Sequence, residues 1–165
     1  MKKNRITAPI LLIGLMLISF GSMSQCYIKS TNQSQGHVTY YLDPELVSQS
    51  DEMGTALSVQ MVANKYYLAV TYQFANQEQP VEEKIALSLQ NGYTLELDMY
   101  TMEVGSAGGV ELCMAVFFLE SEQMNYFKNS MLAEIVMRTQ DGVKHTLPVT
   151  SNKDVLIRQL KCFKR

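Results

Sequence analysis

The chain is organised around residues 105–127, which read GSAGGVELCMAVFFLESEQMNYF. A glycine-rich loop, GSAGG, leads into the most apolar strand candidate of the chain, residues 109–119, and a polar segment follows. The apolar stretch has scarcely any polar residue after Glu111. This pattern predicts a central β-strand that is covered on both faces.

Alternating apolar and polar residues predict a β-hairpin before this strand. Its arms are residues 57–63 and 66–74, joined by a two-residue turn at Asn64 and Lys65. In this register the apolar side chains of both arms face the same way, which is the arrangement that buries one face of a sheet. The predicted pairs are Met61 with Leu68, Val59 with Val70 and Leu57 with Tyr72.

Two Gln-Asx-Gly sequences, residues 90–92 and 140–142, predict further hairpins. A three-residue loop with glycine in the left-handed position pairs apolar residues with apolar residues, whereas a two-residue Asn-Gly turn would not. The predicted pairs are Leu89 with Tyr93, Leu87 with Leu95, Ile85 with Leu97 and Lys84 with Asp98, then Ile135 with Leu147 and Met137 with His145.

Two short helices are expected near the C-terminus. Ser121 is a candidate cap for a helix over residues 122–129. Ser151 and Asp154 have capping-box spacing and predict the start of a final helix, which has an apolar stripe at Leu156, Leu160 and Phe163.

The sequence as a whole predicts a mainly β (α+β) fold, an antiparallel sheet or sandwich of about eight strands with these two helices. Residues 37–165 are expected to form one β-rich globular domain. Residues 25–36 are interpreted as a polar tether, and residues 43–54 as a polar bend. Pro148 cannot donate a ladder hydrogen bond, so the last strand is expected at a sheet edge.

Residues 1–24 have the layout of a secretory signal peptide. A positive N-terminal segment precedes an apolar run over residues 6–20, and the Ser22-Met23-Ser24 triplet matches a small-x-small cleavage site before Gln25. Two alternatives stay open: a lipoprotein signal that places a lipid on Cys26, and an uncleaved membrane anchor. We expect an exported protein that is periplasmic, associated with the outer membrane or secreted.

Charge argues against nucleic acid as a partner. Removal of residues 1–24 takes away three of the fourteen Lys and Arg residues and none of the sixteen Asp and Glu residues, which leaves a net charge of −5. Basic residues cluster only at the C-terminus, so no nucleic-acid-binding patch is indicated. Contact with a membrane is expected only through a lipid on Cys26 or an uncleaved leader.

The three cysteines, Cys26, Cys113 and Cys162, allow three disulfide pairings. Export would place them where disulfides persist. We favour a bond between Cys26 and Cys162, near the two ends of the exported chain, with Cys113 as a buried thiol in the apolar strand. A lipid on Cys26 would exclude this bond.

The order of segments over residues 85–163 resembles a family of small exported proteins of unknown function from Bacteroidota-type bacteria. The likeness consists of an apolar strand, a short helix such as SEQMNYFKNS, a strand such as AEIVMRTQDG and a closing helix that ends in a cysteine and an apolar residue. Leaders in that group are often cut before a glutamine, as expected here. The resemblance implies an envelope or secreted location and brings no catalytic residues.

No combination of residues indicates catalysis. A thiol nucleophile at Cys113 would need an imidazole base, and nothing in the sequence brings His37 or His145 to it. The GSAGG loop lacks the Gly-Lys-Ser/Thr ending and following helix of a phosphate-binding loop. Glu96 and Asp98 suggest a carboxylate pair, but the predicted hairpin gives Asp98 a partner in Lys84. No metal-ligand spacing occurs, and no cofactor is predicted.

Tyrosines are the most informative surface candidates. Adjacent tyrosines in a strand point to opposite faces, so Tyr40 or Tyr41, together with Tyr67, should be partly exposed and could bind a partner. We therefore expect an exported, non-catalytic module that binds a protein or glycan at the cell envelope. Two alternatives are a small secreted hydrolase or thiol enzyme that uses Cys113, and a carrier of an apolar ligand held between the sheet and a helix.

Overall fold

The computed structural model describes residues 26–32, 37–75, 80–107 and 110–163. The predicted leader lies outside these residues. The strands are β1 (Lys29–Asn32), β2 (Val38–Tyr41), β3 (Glu45–Gln49), β4 (Met53–Val62), β5 (Lys65–Phe74), β6 (Val81–Leu89), β7 (Thr94–Ala107), β8 (Val110–Leu119), β9 (Leu132–Thr139) and β10 (Lys144–Pro148). The helices are α1 (Ser121–Asn129) and α2 (Val155–Cys162).

Hydrogen bonds join the strands into one antiparallel sheet in the order β1-β2-β4-β5-β8-β7-β6-β9-β10, with β3 also paired to β4. Strand β7 links the two halves, because residues 94–98 pair with β6 and residues 99–107 pair with β8. The predicted antiparallel β architecture with two late helices is confirmed. The described strands number ten, however, rather than about eight.

Two of these strands are short segments that the sequence pattern did not predict. Strand β1 lies inside the expected tether and pairs with β2, and β3 lies inside the expected bend and pairs with β4. The tether and bend interpretations are therefore wrong at residues 29–32 and 45–49. Such segments become strands through the neighbours they pair with, since strand preference depends strongly on context.

The two Gln-Asx-Gly hairpins form in the predicted register. Gly92 and Gly142 have φ values of 90° and 85°, the left-handed region that the bulged loop requires. All six predicted cross-strand pairs are consistent with the observed registers of β6–β7 and β9–β10. Strand β10 lies at the end of the sheet order, as Pro148 predicts.

The β4–β5 hairpin differs from its predicted register by two residues. Its turn consists of Ala63 and Asn64, with φ values of 47° and 63°, rather than Asn64 and Lys65. Positive φ at both central positions gives a turn whose twist matches the flanking strands. Val59 consequently faces Leu68 instead of Val70. Because side chains alternate with a period of two, the same residues still face the core.

Neither helix begins with the cap that the sequence predicted. The cap of α1 is Glu120, not Ser121, and Glu120 and Gln123 form a reciprocal capping box. Helix α2 begins at Val155, and the hydroxyl of Ser151 donates to the carbonyl oxygen of Leu46 (2.8 Å) instead of capping the helix. Within the described residues, no helix has the length and apolar character needed to cross a membrane.

One core cluster draws on both halves of the sheet and on both helices. The largest fully buried side chains include Leu57, Leu68 and Tyr72 on one half, with Ile85 and Leu87 on the other. The helices contribute Met124, Phe127, Leu156 and Leu160. The inward face of β8 is therefore covered by helices and strands.

The predicted bond between Cys26 and Cys162 is present, with the two Cα atoms 5.4 Å apart and a sequence separation of 136. It fastens the segment that leads into β1 to the end of α2. Cys113 lies in the core with none of its side chain exposed.

Candidate functional site

The outward face of β8 is only half covered, which corrects the prediction of a strand buried on both faces. Phe118 is 39% exposed and Met114 is partly exposed, while Val116 packs in a small separate cluster with Tyr67 and Ala69. The helices lie on the other face of the strand, so these apolar side chains stand on the outside of the sheet.

Cross-strand pairing arranges an aromatic row on this outer face. Tyr41 in β2 faces Gln60 in β4, Gln60 faces Tyr67 in β5, and Tyr67 faces Phe118 in β8. Residues directly opposite on neighbouring strands have closely spaced side chains. Four strands therefore present one continuous line of side chains.

A bulge in β7 brings Tyr100 to the row. The register between β7 and β8 shifts between Met99 and Thr101, so Tyr100 is the extra residue. Its ring centroid lies 5.1 Å from that of Tyr67, although 68% of Tyr100 is exposed. The Tyr67 ring also contacts Phe118 edge to face, with centroids 5.8 Å apart.

A groove of about 420 Å³ crosses the strands and is lined by Tyr41, Gln60, Tyr67 and Tyr100 of this row; we call it the tyrosine groove. Its lining includes the aromatic side chains Tyr41, Tyr67 and Tyr100 and the apolar side chains Val62, Met114 and Val116. The polar lining consists of Thr31, Thr39, Gln60, Thr101 and Glu103. The groove spans strands β1, β2, β4, β5, β8 and β7, a width of about 24 Å at ~4.8 Å per strand spacing.

The polar side chains of the tyrosine groove are not engaged elsewhere in the described part of the chain. No hydrogen bond to another described residue involves the amide of Gln60, the carboxylate of Glu103 or the hydroxyls of Tyr41, Tyr67 and Tyr100. These side chains are exposed or half-buried, apart from Tyr67, and their donors and acceptors are available to a ligand.

Thr39 is the clearest case of an unmatched polar group in the groove. The residue is 4% exposed, and its hydroxyl oxygen has no hydrogen-bond partner among the described residues. A buried hydroxyl without a partner costs about 1–3 kcal/mol. The hydroxyls of Thr55 and Tyr72, which lie away from the groove, have no partner among the described residues either, so an unpartnered hydroxyl does not by itself distinguish the groove.

The described lining of the groove carries a single negative charge. Among the described lining residues Glu103 alone is charged, and it forms no ion pair with a described residue. Burial raises the pKa of Tyr67, and the neighbouring Tyr100 raises it further. Both effects keep the Tyr67 hydroxyl protonated and able to donate a hydrogen bond over the neutral pH range.

The structure separates the three tyrosines proposed from sequence. Tyr41 and Tyr67 line the tyrosine groove together, whereas Tyr40 points to the opposite face beside Met61 and Phe163. Tyr40 is 41% exposed, but Tyr67 is only 8% exposed, contrary to expectation, because Tyr100 and Phe118 pack against its ring.

Sequence reasoning missed Tyr100, Gln60 and Glu103 as groove residues. Gln60 could have been found from its place opposite Tyr67 once the hairpin register was correct. Tyr100 and Glu103 depend on the bulge, and nothing in the local sequence indicates an extra residue at that position.

The other candidate groups lie apart from this groove. His145 packs against the ring of Phe74, with centroids 6.4 Å apart, and Cys113 is enclosed in the core. The predicted Lys84–Asp98 pair forms on the surface at 3.5 Å. Among the residues described, no three His, Cys, Asp or Glu side chains come together as possible metal ligands.

Comparison with protein-family models, with curated proteins and with solved structures gives no match for this chain. The interpretation of the tyrosine groove therefore depends on its own geometry and chemistry.

Proposed function

We propose that this protein is an exported, non-catalytic module that binds a protein or glycan partner of the cell envelope in the tyrosine groove. The observation that carries the proposal is the groove itself: an aromatic row flanked by polar side chains that make no hydrogen bonds elsewhere in the described chain. Concave surfaces with aromatic walls and a few free polar groups are the usual form of binding sites.

Export is supported by the leader layout of residues 1–24 and by the Cys26–Cys162 bond. Disulfides persist in oxidising compartments such as the periplasm. The sulfur of Cys26 cannot carry a lipid and a disulfide at once, so the bond favours cleavage before Gln25 over lipid attachment. In this proposal the two halves of the sheet also pack as a sandwich around their shared core, which leaves the groove on an outer face.

The thiol-enzyme alternative is weakened by burial. A cysteine nucleophile must reach its substrate as a thiolate, and Cys113 has none of its side chain exposed. The carrier alternative places an apolar ligand between the sheet and a helix, and there the described side chains of both helices, among them Phe127 and Leu160, already pack into the buried core cluster.

The test is binding of the exported chain to isolated envelope fractions, measured by co-sedimentation. Tyr100→Ala removes an exposed groove ring, and Tyr93→Ala is its matched control. Tyr93 is 54% exposed and its ring contacts that of Tyr126 at a tilt, with centroids 5.0 Å apart, much as the Tyr100 ring contacts that of Tyr67, but Tyr93 lies at the β6–β7 turn.

We expect Tyr100→Ala to reduce co-sedimentation and Tyr93→Ala to leave it unchanged. Equal behaviour of the two variants would contradict a role for the groove. Turnover on a hydrolase panel that disappears in Cys113→Ala would overturn the non-catalytic assignment. Intact mass of the exported chain checks the location: we expect a cut before Gln25 and one disulfide, and an added lipid would contradict the proposed leader.

A further inference from the structure

The Cys26–Cys162 bond joins the residue three positions before β1 to the last residue of α2. From this placement we infer that the bond is an exchange site for a dithiol reductant, and that its reduction releases β1 from the edge of the sheet while the core stays folded. Release of β1 does not depend on the partner proposed for the tyrosine groove.

Strand β1 has few other attachments. It lies at one end of the sheet order, pairs with β2 and has four residues, none of them buried. Lys29 forms an ion pair with Asp43, but both side chains reach solvent, at 38% and 63% exposure, so the pair contributes little. No other side chain of β1 forms a hydrogen bond or ion pair with a described residue. The disulfide is therefore the main restraint that fixes β1 in place.

The core, in contrast, is complete without β1. The buried cluster joins β4, β5, β6, β8 and β9 to both helices and includes no residue of β1. Cys162 belongs to this cluster, whereas Cys26 only packs against it. Loss of the bond should therefore free an edge strand and leave the packed interior as it is.

The bond can be approached from solvent. Cys26 is half-buried. Cys162 is only 5% exposed, yet it lines a depression of about 380 Å³ together with Ile28, Tyr40 and Phe163. Disulfide exchange requires a thiolate to reach one of the two sulfur atoms, and the half-buried Cys26 offers that access.

The exchange is balanced by the reductant. One thiolate of the dithiol attacks the Cys26 sulfur, the S–S bond breaks, and Cys162 leaves as a thiolate that takes up a proton. The second thiol of the reductant, as its thiolate, then attacks the mixed disulfide and frees Cys26, which is protonated in turn. Two electrons and two protons pass to the protein, and the reductant leaves as its own disulfide.

Release of β1 uncovers the outer edge of β2 on both faces of the sheet. Ser30 lies opposite Tyr40, and Thr31 lies opposite Thr39. Thr39 is 4% exposed and lines the tyrosine groove with Thr31, so departure of β1 opens that end of the groove. Backbone groups of β2 that pair with β1 become free, as at any bare sheet edge. The oxidation state of the two cysteines thus controls access to this side of the protein.

The experiment treats the oxidised, exported chain with dithiothreitol in the absence of denaturant, labels free thiols with N-ethylmaleimide and measures the intact mass. Amide hydrogen exchange is recorded before and after reduction. We expect two labels, on Cys26 and Cys162, with the enclosed Cys113 unlabelled. Exchange should rise by about tenfold or more in β1 and in the β2 amides that face it, and stay unchanged in β5 and β8. Reoxidation with glutathione disulfide should restore the original exchange.

Cys113→Ala is the matched control and should respond to dithiothreitol as the parent chain does. The Cys26→Ser/Cys162→Ser variant should show fast exchange in β1 before the reductant is added and no further change with it. Labelling of Cys113 with faster exchange in β5 and β8 would overturn the inference, because reduction would then unfold the core. A bond that resists dithiothreitol in the folded chain, or unchanged exchange in β1 after its reduction, would overturn it as well.

Discussion

The backbone N–H of Val59 donates a 2.7 Å hydrogen bond to the side-chain oxygen Oε1 of Gln159, one hundred residues later in the chain. Strand β4 pairs with β2 at residues 60–62 and with β3 at residues 54–57, and Gln159 fills the gap between these two partners. The amide nitrogen of Gln159 donates in turn to the carbonyl oxygen of Asp43 (3.2 Å) and to Glu45 (3.1 Å). One side chain of α2 therefore completes the edge of β4.

Replacement of Gln159 by alanine should destabilise the fold. Gln159 is 3% exposed, and its loss leaves the N–H of Val59 buried without a partner. We expect the free energy of unfolding to fall by about 1–3 kcal/mol, measured by urea denaturation. Lys161→Ala, an exposed change on the same helix, should shift it by less than about 0.5 kcal/mol. Equal effects of the two substitutions would contradict the edge-completing role of Gln159.

The sequence was most informative where one residue determines local geometry. Gly92 and Gly142 each specify a three-residue loop, and both hairpin registers follow from that position. The β4–β5 turn has no glycine, so its register could not be derived: Ala63 and Asn64 adopt positive φ to suit the twist of the strands.

Features that depend on distant residues could not be predicted. Strand β3 is held by Arg158, which forms two hydrogen bonds with the Glu45 carboxylate (3.0 and 2.6 Å). The tyrosine groove depends on the bulge that inserts Tyr100 beside Tyr67. Tyr41 and Tyr67 could be singled out because tyrosine pairs are visible in the sequence, and both line the groove, but strict alternation cannot locate a bulge.

Tyr72→Phe should stabilise the protein. Tyr72 is fully buried opposite Cys113, and its hydroxyl has no hydrogen-bond partner among the described residues. Burial strongly raises the pKa of this hydroxyl. Phenylalanine keeps the packing and removes an unsatisfied polar atom, so we expect a gain of about 1 kcal/mol in thermal or urea unfolding. Tyr66→Phe, at a partly exposed ring against Phe163, is the control and should be close to neutral. A loss of stability in Tyr72→Phe would contradict the assignment of the Tyr72 hydroxyl as an unsatisfied polar group.

Removal of the disulfide should lower stability and loosen β1. The Cys26–Cys162 bond closes a loop of 136 residues, and such a bond restricts the unfolded chain. We expect the Cys26→Ser/Cys162→Ser double variant to lose about 2–5 kcal/mol. Amide hydrogen exchange should increase first in β1, an edge strand of four residues. Cys113→Ala is the matched single-thiol change and should reduce stability more modestly while leaving groove binding intact. Unchanged exchange in β1 would show that pairing with β2 alone holds this strand.

Stability should depend on pH through Asp141 in the β9–β10 loop. Its carboxylate accepts hydrogen bonds from the hydroxyl of Thr139 and the backbone N–H of Val143, and these bonds, the first above all, lower its pKa. A carboxyl whose pKa is lower in the folded chain stabilises the fold above its unfolded value of about 3.9, and this contribution is lost as pH falls through the folded value. Asp141→Asn should therefore flatten the decline of unfolding free energy below about pH 4, measured by urea denaturation over a pH series.

Thr139→Val should raise the pKa of Asp141 in an NMR titration of its carboxyl carbon, because the main hydrogen-bond donor is gone. An unchanged titration in Thr139→Val would contradict this assignment of the pH dependence.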